Sequence, residues 1–206
     1  MRLGATAVPQ KPAAAAPVAP KAPIDRTKYN QLQRHVDYFD GNRDGMITIK
    51  ETRQGLRDLG IGPVKAFFSA LVINLGLASK TGHKTEIEVA NIHKGKHDSD
   101  TDIYNADGTF SAAKFQEMFD LFDKNKSGSM DETEFATMRT AKKETKVGAF
   151  AASQEFGLLA AFAADKRETV DGKQVNALSR KQLEEFYEGS LFFRLAAERK
   201  AAAAQK

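Results

Sequence analysis

The chain has 206 residues, 41% hydrophobic and 28% charged, the balance of a soluble globular protein long enough to bury one core. Its formal charge of +4 comes from lysines spread along the sequence, with no basic block interleaved with aromatics, so no nucleic-acid partner is expected. The absence of cysteine excludes disulfides and thiolate metal sites, which fits a reducing compartment.

Residues 1–24 hold five of the six prolines among many alanines and cannot build a core, so a disordered tail is expected. The same prolines interrupt every apolar run that a secretory signal would need. A cytoplasmic, non-secreted protein is expected, with at most peripheral contact to lipid surfaces. One folded domain should span 25–199, and 200–206 should fray.

Tyr29, Leu32, Val36 and Phe39 form a helical stripe, with His35 at its edge and pointing partly inward, five residues ahead of Asp40. A lone histidine so placed is more often a hydrogen-bonded boundary residue than a ligand. The stripe leads into DGNRDGMITIKE, Asp40 to Glu51, which fills a twelve-residue calcium-loop pattern. Asp40, Asn42 and Asp44 supply oxygens at positions 1, 3 and 5, and Gly45 permits the turn at position 6. Met46 offers its carbonyl, Thr48 a side chain or a bridging water, and Glu51 both carboxylate oxygens.

Next, PVKAFFSALVINLGLASK opens with Pro63 and is nearly apolar from Val64 to Ala78. As a helix it would rise about 22 Å, short of the roughly 30 Å of a bilayer core, and it carries Lys65 and Asn74. It reads as an inserted apolar helix, buried in the core or lying against lipid or an apolar ligand. NIHKGKHDSD, Asn91 to Asp100, follows. If helical, its His93 and His97 would share one face at a spacing that also suits zinc or another transition metal, although Gly95 weakens the helix.

Residues 103–114 keep an Asp107–Gly108 turn and Phe110, but Ile103 and Lys114 stand where carboxylates are needed. Phe115, Met118, Phe119 and Phe122 then form the helical stripe entering DKNKSGSMDETE. That second complete loop offers Asp123, Asn125, Ser127, the carbonyl of Ser129, Asp131 and Glu134, with Gly128 at the turn. Residues 171–182 have Lys173 and Val175 where oxygens belong, and should be metal-free. Ile47 and Met130 hold the apolar eighth position, suited to short strands. The expected fold is therefore all-α and EF-hand-based. Each intact loop should pair with a degenerate one through a two-stranded ribbon, the alternative being pairing of the two intact loops. In the C-terminal run, Ser179 with Gln182 suggests a capping box.

Several blocks together resemble the caleosins, a family of plant and fungal peroxygenases. They are LQRHVDYFDGNRDGMITIKET, VINLGL, NIHKGKHDSDTDIYNADGTF, FGLLAAFAADK and EEFYEGSLF, in that order across about Leu32 to Phe192. The resemblance implies calcium and haem as cofactors and oxygen transfer from fatty-acid or organic hydroperoxides to unsaturated lipids. Residue by residue, it implies that the two haem-associated histidines are His35 and His97; His93 matches without an assigned role. One imidazole would bind the iron and the other assist peroxide cleavage, or both would ligate. The proline-rich turn of the oil-body caleosins has no counterpart in GLASKTGHKTEIEVANIH, so stable lipid-droplet insertion is not expected. The alternative function is a non-catalytic calcium-binding module that docks a partner protein or a lipid surface.

Overall fold

The computed structural model describes residues 24–96, 103–141 and 146–205; the expected disordered tail falls almost wholly outside them. The chain is mostly helical, with two small antiparallel sheets. The first half runs α1 (Gln31–Asp37), β1 (Met46–Ile47), α2 (Ile49–Asp58), α3 (Pro63–Thr81) and β2 (Ile87–Glu88). The second half runs α4 (Ala112–Phe122), β3 (Ser129–Asp131), α5 (Glu132–Ala141), α6 (Lys146–Ala163), β4 (Lys166–Val170), β5 (Lys173–Ser179), α7 (Arg180–Glu188) and α8 (Leu191–Ala204).

Local chemistry sets the helix ends. Asn30 and Gln33 close a reciprocal capping box on α1, and Thr48 and Glu51 close another on α2. Pro63 takes the first position of α3, where its missing N–H costs nothing, and Gly82 ends that helix in the left-handed region at φ 95°. At α7 only half the expected box forms. The Ser179 side chain accepts from the Gln182 N–H, but the Gln182 amide donates to the Ala163 carbonyl at 2.7 Å, and the Ser179 N–H donates to Asp165. The expected C-terminal fraying starts later than residue 200, because the alanine- and lysine-rich end is strongly helix-forming and α8 continues to Ala204.

The strands depart from the expected pairing. β1 pairs with β2 in the register Met46↔Glu88 and Ile47↔Ile87, so the partner of the first loop is a segment without loop ligands, not residues 103–114. Residues 103–114 instead close on themselves through a Tyr104↔Phe110 bridge. The second loop does pair with its expected partner, Met130 facing Leu178. Its sheet, however, has a third strand, in the order β3-β5-β4. Asp171 and Gly172, at φ 49° and 76°, form the turn of a β4–β5 hairpin at the start of the degenerate 171–182 segment. The fold is thus not purely α.

Both predicted stripes turn inward: Leu32, Val36, Phe115, Met118, Phe119 and Phe122 are buried. The apolar helix α3 is arranged small side in. Ala66, Ala70, Asn74 and Ala78 are buried, while Val64, Phe67, Phe68, Val72 and Leu75 face outward. It is therefore a core helix on one face only. No helix among the described residues is long and apolar enough to cross a membrane. Asn74 is wholly buried yet fully bonded: it accepts from Thr52 Oγ1 at 2.6 Å and donates to the carbonyls of Ile47 and Thr85 at 2.9 and 3.2 Å. One amide thereby ties α3 to α2, to the first loop and to the segment entering β2.

Candidate metal loops and histidine site

The first loop lies between α1 and α2, and its side chains are aimed by its own backbone. Asp40, 3% exposed, accepts from the N–H of Asp44 at 3.2 Å and of Gly45 at 2.9 Å. Asn42 accepts from the Asp44 N–H at 3.0 Å, and Asp44 from the Met46 N–H at 2.8 Å. Glu51 folds back to accept from the N–H of Asn42 at 3.2 Å and of Thr48 at 2.9 Å. Gly45 supplies the left-handed turn at φ 82°. Position 1 also meets a cation from outside the loop, since Arg26 approaches Asp40 Oδ2 at 3.4 Å and pairs with Asp37. Burial pushes the Asp40 carboxyl up from its ordinary value, against the lowering pull of the Gly45 N–H and Arg26.

The second loop, between α4 and α5, repeats this pattern. Asp123 accepts from the N–H of Ser127 and of Gly128, both at 2.9 Å, and Asn125 also accepts from Ser127. Glu134 folds back onto the N–H of Lys124 at 2.8 Å and of Asp131 at 3.2 Å, and Asp131 caps α5 through the Glu134 N–H at 3.0 Å. Burial raises the Glu134 carboxyl. Here the outside visitor is an anion. Glu168 of β4 accepts from the side chains of Asn125 and Ser127 at 2.7 Å each and of Ser129 at 2.5 Å. Burial would raise its carboxyl, but those three hydrogen bonds prevail and hold it low.

Among the described residues, no group of three or more His, Cys, Asp or Glu side chains is gathered as a metal-ligand set. In both loops the carboxylates rest on backbone N–H groups. The donors nevertheless fit a hard divalent cation: each loop collects Asp, Asn or Ser, a backbone carbonyl and a terminal Glu within twelve residues, with no nitrogen or sulfur donor at a liganding position.

His35 is half-buried on α1, and its ring meets Phe186 edge-on at 4.4 Å and Phe192 at 4.9 Å. Its Nδ1 lies 2.9 Å from the Phe186 carbonyl oxygen. A carbonyl only accepts, so Nδ1 carries the proton and Nε2 of the neutral ring keeps its lone pair. Burial lowers the imidazole's pKa, opposed by the Glu155 carboxylate and the Phe186 hydrogen bond, and so favours the neutral ring. Gly189 makes this contact possible: at φ 83°, a Cβ there would lie 2.6 Å from the His35 backbone nitrogen and 2.9 Å from the Gln31 carbonyl. The end of α7 can approach α1 this closely only with glycine at that position.

The other histidines do not join His35 among the described residues. His93 lies in a 3-10 helix, Val89–Gly95, and not in an α-helix. His97 lies outside the described residues. His83 pairs with Glu88 at 3.2 Å on the surface. The structure brings forward residues that the sequence pattern did not single out: Arg26, Glu168 and the Phe186 carbonyl. A signal for the hairpin carrying Glu168 is present in KRETVDGKQV, where Asp-Gly joins two strand-like runs.

Taken together, these features define a class: a helix–loop–helix protein with two oxygen-donor loops and a neutral, backbone-held imidazole on the helix that enters the first. The family model described as "Caleosin related protein" matches residues 27–196. The chain is 35% identical over 185 residues to "Probable peroxygenase 4" of Arabidopsis thaliana, covering 86% of this chain and 91% of that one. It is 30% identical over 176 residues to "Peroxygenase" of Lilium longiflorum, covering 82% and 70%. The chain belongs to the caleosin family. No solved structure matches it.

Proposed function

We propose that the chain is a calcium-dependent haem peroxygenase that moves one oxygen atom from a fatty-acid or other organic hydroperoxide to an unsaturated lipid. Family membership and the names of the two relatives support the reaction class. The observation that carries the haem reading is the setting of His35: Nδ1–H bound to a carbonyl, Nε2 unprotonated, aromatic rings against the imidazole. Metal-ligating histidines commonly hold their second nitrogen in this way. Haem, when bound, would supply the iron at which the hydroperoxide O–O bond is cleaved.

The chain's own residues do the rest. His35 Nε2 would hold the group, with the Phe186 carbonyl fixing the ring's orientation and the Phe186 and Phe192 rings packed against the imidazole. His97, by its place in the family motif, moves a proton between the two hydroperoxide oxygens, so that the alcohol leaves as the other oxygen passes to the alkene.

Both loops, Asp40–Glu51 and Asp123–Glu134, are EF-hand calcium sites in this reading. α1 runs from His35 into the first of them, so ordering that loop around the ion fixes the end of the helix that carries the imidazole. The outward face of α3, Val64, Phe67, Phe68, Val72 and Leu75, is the proposed contact with a lipid surface where substrate would be met. The same face favours a second reading, a non-catalytic calcium module that docks there.

Expression with a haem precursor separates the two. The enzyme reading expects a strong visible haem band and cumene hydroperoxide-dependent oxidation, with His35→Ala losing both and His97→Ala losing most of the oxidation. A folded, calcium-binding but colourless and inactive wild type would overturn it in favour of the module.

A further inference from the structure

The two loops differ at positions 5 and 9, which are Asp44 and Thr48 in the first and the neutral Ser127 and the acid Asp131 in the second. Glu168, a half-buried residue of β4 lying some forty positions further along the chain, bonds the side chains at positions 3, 5 and 7 of the second loop. Its Oε1 lies 2.7 Å from Ser127 Oγ, and its Oε2 lies 2.7 Å from the Asn125 amide nitrogen. Neighbouring oxygens in the equatorial ring of a seven-coordinate calcium shell stand about 2.8 Å apart when each is about 2.4 Å from the ion. A carboxylate oxygen and the Ser127 hydroxyl at this separation can therefore share one ion.

We propose that Glu168 is a ligand of the second calcium site, donated from outside the loop in place of the acid that position 5 lacks; this rests on the reading of Asp123–Glu134 as a calcium site. With it the site would have four carboxylates, Asp123, Asp131, Glu134 and Glu168. Charge count is a main determinant of affinity at such sites. Because the fourth carboxylate comes from β4, the outer strand of the β3-β5-β4 sheet, calcium also ties that strand to the loop, whose own pairing reaches only β5.

Calorimetric calcium titration of the calcium-stripped full chain tests this, with Glu134→Gln marking which transition belongs to the second loop. Glu168→Gln keeps the shape and removes the charge; it should weaken the second transition at least about tenfold and leave the first unchanged. Adding Ser127→Asp in that background returns a carboxylate to position 5 and should restore most of the loss. In the wild type, hydrogen exchange in residues 166–170 should slow on calcium addition, and in Glu168→Gln it should not. A second transition unmoved by Glu168→Gln, or a loss that Ser127→Asp does not repair, overturns the role of Glu168 alone. A titration that Glu134→Gln does not alter overturns the reading of the loop, and with it the inference.

Discussion

The two loops share a backbone design and are completed from outside by charges of opposite sign. Arg26, ahead of α1, sits on the first carboxylate of Asp40–Glu51, whereas Glu168, beyond α6, accepts from the middle side chains of Asp123–Glu134. A guanidinium at a cation site competes with the incoming ion, while a carboxylate recruits it. On the proposed calcium reading, two motifs of nearly equal ligand content would thereby bind the ion differently, and the difference lies in residues that no loop pattern includes. Their neighbours differ as well: α1 carries His35 into the first loop, while the second is joined to a β-hairpin.

The largest effects should come from the terminal glutamates, each of which folds back across its own loop. Glu51→Gln should weaken calcium at the first loop by about a hundredfold or more, and Glu134→Gln should do the same at the second. The comparison sharpens if haem is followed alongside, because only the first loop is continuous with the helix of His35. Calcium should shift the haem band in Glu134→Gln and leave it still in Glu51→Gln. A band that responds equally in both variants would show that the link does not run through α1.

Next comes the buried support that Asn74 gives the first loop. Asn74→Leu strands Thr52 Oγ1 and the carbonyls of Ile47 and Thr85 in the interior, at a cost of about 2–4 kcal/mol. In a chain of this length that corresponds to a melting temperature lower by roughly 5–12 °C. Calcium should bind more weakly at the first loop, since the Ile47 carbonyl held by this amide lies between its ligands, and unchanged at the second. Scanning calorimetry with calcium titration checks both halves.

How far the sequence announces these features depends on whether the determinant is local. The stripes around Leu32 and Phe119 and the strand positions of Ile47 and Met130 follow from spacing within about a dozen residues, and they are found as expected. Pairing is less visible. Ile87 carries none of the acids that flag a loop, yet it is the partner of Ile47, selected by burial and by Asn74 rather than by chemistry. The Asp171–Gly172 turn looks like the start of a degenerate loop until the strand-like residues on both sides are weighed. Arg26 and Glu168 are surface-type residues whose partners are set only once tertiary structure exists. His35 was legible as a boundary residue, but its hydrogen bond to Phe186 spans 151 positions and depends on Gly189 at the end of α7.

The smallest expected effect bears most directly on the contrast between the loops. Arg26→Ala removes the positive charge beside Asp40 and should tighten calcium at the first loop by roughly three- to tenfold at neutral pH, about 1 kcal/mol, leaving the second loop unchanged. The gain should shrink on acidification. Burial is the main influence raising the Asp40 carboxyl, and Arg26 opposes it; without the guanidinium the carboxyl rises further above 3.8, so protons compete with calcium from a higher pH. Affinity curves of the wild type and Arg26→Ala measured from neutral pH downward should therefore converge as the carboxylate range is approached. Parallel curves would mean that Arg26 acts on the loop through packing, not charge, and would remove the opposition of signs from which the two sites are here distinguished.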